Sequence, residues 1–365
     1  MIISSTSENK EIEKRIAVTP EITKKYVNLG FQIQLIKNYG THIGFNDSHF
    51  KDAGAKIIND EKELLGNSNV IVQLGLLSES QQTMMKENQI LIGTFNAYQN
   101  KNYIQKFLSK NINVFSLELL PRITRAQSMD ILSSQANLAG YKAVIESFAF
   151  FEKAIPMMMT AAGTVPAAKV LVVGAGVAGL QAVATAKRMG AIVFATDVRM
   201  ASKEQVESLG GKFLTVEGSE NLETKGGYAK EAGEDFKKKQ AQMLENAASK
   251  SDIIICTALI PGRPAPRIIN ESMIKNMKPG SVIFDLAITQ GGNSAYSEID
   301  KIVVKNGVKI IGISNVMNKL PLTASNLYAK NIFSFVRNLY SKEKKQFVIN
   351  MEDEIIKNTL IKGSN

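Results

Sequence analysis

The residues Gly174-Ala-Gly176-Val-Ala-Gly179, followed by a carboxylate at Asp197, have the types and spacing to hold a dinucleotide. Gly174 permits a tight turn. Gly176 lets the backbone approach a pyrophosphate, and Gly179 lets a helix pack closely on a strand. A helix starting here offers free N–H groups and a positive dipole end to phosphates. Asp197 can accept hydrogen bonds from the adenosine ribose hydroxyls and repel a 2′-phosphate, which points to NAD rather than NADP. Arg199, two residues on, is the group that can instead hold a 2′-phosphate.

Such residues work only if the right elements present them. Lys169–Val173 is an apolar run of strand length, Leu180–Arg188 has apolar residues at helical spacing, and Ile192–Asp197 is a second apolar strand ending on the acid. A bare GxGxxG is weak, but strand, turn, helix and acid in this order form the full fingerprint.

A second dense polar stretch follows a strand end. Arg122, Arg125, Gln127, Asp130, Ser133, Gln135 and Asn137 crowd into sixteen residues. In open α/β sheets ligands sit at the carboxyl ends of strands, so this loop is a candidate binding element; a solvated loop before a capped helix is the plainer alternative.

At 365 residues the chain suggests two domains. With 44% hydrophobic and 21% charged residues it can bury a large core. The single cysteine, Cys256, lies in an apolar strand and reads as core, which suits a reducing compartment. His42 and His49 have no metal-ligand spacing, so no metal is expected. The net charge of +10 comes from scattered lysines without a nucleic-acid motif, so a solvated surface is expected and nucleic acid is not. No signal peptide and no 18-residue apolar run are visible.

The remaining pattern alternates strands and helices. Strands are expected at 31–36, 70–74, 90–94 and 112–117, and helices at 21–29 and 102–108. A long helix over 138–154 joins the halves, and further strands at 212–216, 252–257, 281–287 and 308–314 complete a six-stranded dinucleotide domain. Lys225–Lys230 suggests a mobile flap or an ordinary surface loop. A helix over 325–339 returns to the first half, where the tail 346–351 can add an edge strand. The fold expected is α/β, with two domains that each carry a mainly parallel sheet. Residues 1–137 plus 322–365 form one, and 138–321 form a doubly wound, Rossmann-type dinucleotide-binding domain.

Four stretches, Pro121–Asn137, Met157–Pro166 with Gly174–Gly179, Gly226–Glu231 and Thr257–Gly262, resemble the alanine dehydrogenase and proton-translocating transhydrogenase family. The resemblance runs over nearly the whole chain and is closer to the NAD-binding alpha component of the transhydrogenases. It implies that Arg122, Gln127 and Asp130, with Ser133 nearby, position the nicotinamide, and that Ile123, Thr124 and Arg125 share in holding the cofactor. Tyr228 falls on the family's flap tyrosine. Further NAD contacts fall on Val177, Asp197, Val198, Arg199, Gly227, Gln240 and Leu259.

The departures separate the two branches. Arg15 falls where the dehydrogenases hold a keto-acid carboxylate, although an ion pair within its own charged loop is the preferred reading. Their lysine, histidine and aspartate fall on Gln73, Asn96 and Thr289, which cannot transfer a proton at neutral pH. Hydride transfer between two nicotinamides needs no such group; it needs position and excluded water. The resemblance therefore implies NADH presented in the cleft between domains to NADP+ on a beta subunit, with a transmembrane alpha-type subunit coupling the step to proton passage. It also implies a homodimer of the split form, without transmembrane helices, peripheral on the cytoplasmic face of the inner membrane. A soluble amino-acid dehydrogenase and a non-catalytic NAD-binding module are the alternatives.

Overall fold

Short apolar runs such as Val170–Val173 and Ile253–Cys256 have no polar face to give to water, so they form strands covered on both sides. In the computed structural model the described residues are 1–216, 234–259 and 263–362. They divide into two units, one made of Met1–Gln135 with Met317–Asn365 and the other of Ala136–Val316.

The main sheet of the first unit has six strands among the described residues: β1 (Ile2–Ser5), β2 (Gln32–Ile36), β3 (Ala55–Ile58), β4 (Val70–Val72), β5 (Ile90–Gly93) and β6 (Asn113–Ser116). They pair in parallel in the order β3-β2-β1-β4-β5-β6, with Ile3 opposite both Ile33 and Val70. Strand alternation splits the core in two. Ile3, Ile33, Val70, Val72 and Ile92 pack with Tyr26, Tyr328, Ile332 and Phe335; Ile71, Leu91 and Val114 pack with Leu64, Leu65, Ile104 and Phe107. The helix Pro321–Leu339 thus belongs to this unit, with Pro321 starting it where its missing N–H costs nothing.

The second unit opens on an antiparallel hairpin, β7 (Met158–Thr160) and β8 (Gly163–Val165), then builds β9 (Lys169–Val173), β10 (Ile192–Thr196), β11 (Lys212–Phe213), β12 (Ile253–Cys256), β13 (Val282–Asp285), β14 (Ile302–Lys305) and β15 (Val308–Ile311). The sheet order is β11-β10-β9-β12-β13-β15-β14, parallel except for β14 against β15. Leu171, Ile254, Cys256, Ile283 and Ile310 form one face of its core with Leu244, Met273 and Ile274. Cys256 is buried among them, and burial, with Asp285 nearby, pushes its thiol well up, so it stays protonated.

Several expectations need correction. The joining helix spans Ile131–Phe150, beginning seven residues before the expected Leu138, because Asp130 caps it. The β14–β15 hairpin was not expected, although its Asn306-Gly307 turn, with both residues at positive φ, is a strong hairpin signal. The tail segment Gln346–Phe347 does not join the first sheet. It folds back antiparallel on Tyr340–Ser341, where Phe347 stacks on Phe31, and the edge of β6 is met instead by Leu360 and Ile361. β3 was missed; it is a four-residue edge strand whose solvated Lys56 interrupts the apolar run.

Candidate dinucleotide site

The expected site residues fall into two groups, one on each unit. In the second unit β9 ends at Val173, Gly174 turns the chain at φ +96°, and a helix runs from Val177 to Arg188 with Gly176 at its N-cap. Two of the three glycines are required by the fold. A Cβ on Gly174 would lie 2.7 Å from Thr257 Oγ1, and one on Gly179 would lie 1.8 Å from the Gly174 carbonyl oxygen. Gly176 is different. Its φ of −77° suits any residue, and the nearest atom to a Cβ there is Arg199 Nη2 at 3.7 Å. Nothing within the described protein demands glycine at 176. No side chain caps the helix that starts beside it.

Asp197 closes the other side of this turn. Its Oδ2 accepts the Ala175 N–H at 2.7 Å, tying the end of β10 to the glycine turn. Its Oδ1 accepts the Arg199 backbone N–H and Nε, both at 2.8 Å, and Arg199 Nη2 donates to Oδ2 at 2.8 Å. The pair is largely buried. Val198 between them is half-buried.

The end of β12 supplies the third wall. Thr257 Oγ1 donates to the Gly174 carbonyl at 2.8 Å, locking the two strand ends together. Asn293, fully buried, accepts the Ala258 N–H at 3.0 Å and donates to the carbonyls of Ala258 and Pro266 at 2.8 and 2.9 Å. This clamp holds the segment carrying Leu259, whose side chain is exposed, as is that of Val177. Exposed apolar side chains beside a glycine turn are what an adenine or ribose face would cover. Asn293 was missed by sequence reasoning; the signal is the pair Gly291-Gly292, both at positive φ, which turns the chain to bury it. Gln240 lies half-buried on the helix Glu234–Lys250, while Gly227 and Tyr228 lie outside the described residues.

In the first unit the polar stretch folds as a 3-10 turn, Thr124–Met129, anchored by buried Ala126 and Met129, with Arg122, Thr124, Arg125 and Gln127 exposed and Ile123 half-buried. Asp130 accepts the Ser133 N–H at 2.9 Å and the Ser133 hydroxyl at 2.5 Å, so these two residues fix where the turn ends and the helix begins. Arg125 reaches the carboxylate of Asp353, which also accepts the Ile355 N–H. Burial works to raise the Asp353 carboxyl, but Arg125, Ile355 and Asn338 outweigh it and hold it below the usual range. The turn thus presents Gln127 and Arg122 from a backbone pinned at both ends.

The positions at which the resemblance departs from the dehydrogenases are also set. Arg15 makes a fork to Glu13, with Nη2 to Oε2 at 2.6 Å and Nε to Oε1 at 2.8 Å, and donates to Gln135 at 2.9 Å. Gln73 is buried and accepts the Ser5 hydroxyl and the Thr6 N–H. Asn96 and Thr289 are exposed. None of the three carries an acid–base group. No cluster of His, Cys, Asp and Glu suited to a metal occurs among the described residues.

Comparison with known proteins agrees with this architecture. Residues 5–139 and 143–364 match the models described as the N-terminal and C-terminal domains of alanine dehydrogenase/PNT. The chain is 49% identical over 368 residues to the first of the alpha-subunit polypeptides of the NAD(P) transhydrogenase of Rhodospirillum rubrum, covering 99% of this chain and 96% of that one. It is 43% identical over 365 residues to the corresponding alpha-subunit polypeptide of Rickettsia prowazekii, covering 99% and 94%. A solved transhydrogenase from Sinorhizobium meliloti superposes with a TM-score of 0.90 at 42% identity, covering 99% of this chain and 98% of that one. The glycine fingerprint, the two α/β units and these matches together place the chain in the alanine dehydrogenase/PNT family, on its transhydrogenase side.

Proposed function

We propose that this chain is the NAD(H)-binding subunit of a proton-translocating NAD(P) transhydrogenase, presenting NADH for direct hydride transfer to NADP+ held by a beta subunit. The observation that carries it is Gly176: the fold leaves room for a side chain there, and the sequence withholds one beside an uncapped helix N-terminus. That is the cradle a pyrophosphate fills.

Gly174, Gly176 and Val177 would hold the pyrophosphate, Asp197 and Arg199 the adenosine ribose, and Val198, Gln240 and Leu259 the remaining nucleotide surface. NADH supplies the hydride when bound. The first unit's turn would then orient the nicotinamide end: Gln127, uncharged with two donors and an acceptor, bridges carboxamide or ribose groups, while Arg122 adds a fixed positive charge. Ile123, Thr124 and Arg125 complete that contact, and Asp130 and Ser133 hold the turn in place. Gly227 and Tyr228, outside the described residues, remain assigned to the flap. The reaction needs no proton at the reacting carbons, which fits Gln73, Asn96 and Thr289.

The relatives' description as a subunit supports partner subunits. In this reading one of them is a transmembrane alpha-type chain. Among the described residues no helix is long and apolar enough to cross a membrane. In this reading membrane contact runs through the partners, on the cytoplasmic face. The homodimer has support in the β7–β8 hairpin: Met157, Met158 and Met159 are exposed, and no charge occurs from Ala154 to Ala168.

The test is a transhydrogenation assay with an NADP-binding transhydrogenase subunit added. Hydride transfer is expected only with both proteins present, and Gln127→Asn should lower the rate greatly while changing NADH affinity little. Turnover of a keto acid with ammonia by this chain alone would return it to the dehydrogenases.

A further inference from the structure

Asparagine is a poor helix former, because its amide competes with the backbone for hydrogen bonds. Asn331 nevertheless sits midway along the helix Pro321–Leu339, 8% exposed, between the buried Tyr328 and Phe335. A buried amide needs partners, and those of Asn331 lie on either side of the end of the turn Thr124–Met129. Its Nδ2 donates to the Ser128 carbonyl at 2.9 Å. Its Oδ1 accepts the Ser134 hydroxyl at 2.7 Å, nearer than that hydroxyl comes to the Ile131 carbonyl at 3.1 Å. A carbonyl can only accept, so the Ser128 bond fixes which end of the amide is nitrogen. One side chain thus spans the junction between the turn and the helix Ile131–Phe150. Asn338, two turns on along the same helix face, donates to Asp353 at 3.2 Å, the carboxylate that holds Arg125.

We propose that Asn331 is a positioning residue for hydride transfer, holding the backbone beside Gln127 so that the Gln127 amide meets the nicotinamide end of the nucleotide. This role rests on the transhydrogenase reading above. The Gln127 side chain is exposed, so its place is set by the backbone that carries it. Ala126 and Met129 anchor that backbone by burial, which is non-directional; the Asn331 bond to Ser128 is directional and fixes rotation as well. Ser128 is exposed, so without Asn331 its carbonyl turns to water at little cost to the fold. NADH affinity, which in this reading comes mainly from the glycine crevice, is then kept. Alignment is not, and a displacement of about 1 Å can slow a transfer about a hundredfold.

The test compares wild type, Asn331→Leu, Gln127→Asn and the double variant. Leucine keeps the branched shape and removes both hydrogen bonds. In transhydrogenation with an NADP-binding subunit added, Asn331→Leu should lower the rate about tenfold or more, with the calorimetric Kd for NADH within about twofold of wild type. The losses should not multiply. Once Gln127→Asn has shortened the amide, Asn331→Leu should slow transfer by less than about twofold more. In the nucleotide-free proteins, amide hydrogen exchange over residues 123–130 should be about tenfold faster in Asn331→Leu. If Asn331→Leu is unfolded by circular dichroism, Asn331→Ala carries the same expectations. A wild-type rate in the folded variant, unchanged exchange over 123–130, or a full multiplicative loss in the double variant would overturn the role of Asn331. So would a loss of NADH affinity as large as the loss of rate. Wild-type protein that transfers no hydride would overturn the transhydrogenase reading, and this role with it.

Discussion

The two sheets of this chain share the strand order 3-2-1-4-5 and differ at the crevice between their first and fourth strands. In the second unit that crevice has a glycine turn after β9, an uncapped helix and an acid at the end of β10. In the first unit the equivalent place is filled from within. Glu8, just past β1, accepts the Leu74 N–H at 2.8 Å and the Gly75 N–H at 3.4 Å beyond β4, and Gln73 Nε2 donates to it at 3.2 Å. The donors that could meet a ligand anion are spent on the chain's own carboxyl, and β2 ends without an acid. A doubly wound topology makes a crevice at its switch point; the side chains decide whether it is a site or a plug.

The largest effect on stability is expected at the open crevice. Gly179→Ala places a methyl 1.8 Å from the Gly174 carbonyl and should cost about 3 kcal/mol or more, read as a fall in Tm. A variant as stable as wild type would show that helix and turn are not locked as described. The plug comes next. Burial raises the Glu8 carboxyl from 4.5 to about 7, against the lowering influence of the Leu74 N–H. The folded state therefore binds this proton more tightly than the unfolded chain does. Stability should fall as pH rises from about 4.5 to 7, by about 3 kcal/mol, and level off above. Glu8→Gln should remove that slope in denaturant titrations across pH; an unchanged slope would assign it to another group. The smallest effect is expected away from both crevices. Arg125 is exposed, so its pair with Asp353 should be worth about 1 kcal/mol or less, and Arg125→Ala should change Tm little.

Much of the second unit was legible in the sequence because its signals are local. Continuous apolar strands, three spaced glycines and an acid lie within 29 residues, from Lys169 to Asp197. The first unit was harder. β1 and β3 are four residues each; β1 is half polar, and Lys56 interrupts β3. The start of the joining helix was misplaced because Ser133-Ser134 reads as loop until Asp130 is seen to cap it. Asn293 and Glu8 act through partners 27–67 residues away, so no local pattern announces them. The same holds for the Asp197–Arg199 fork: both residues stand out in the sequence, but only geometry shows that one occupies the other.

The most direct test of the central claim is a calorimetric titration of wild type and Gly176→Ala with NADH. The added methyl meets nothing nearer than 3.7 Å, so the variant should keep the wild-type Tm. It should bind NADH about tenfold more weakly or worse, because the methyl would occupy the space in which we propose the pyrophosphate sits. Equal affinity in the two proteins would contradict the account, since the space at Gly176 would then serve no ligand.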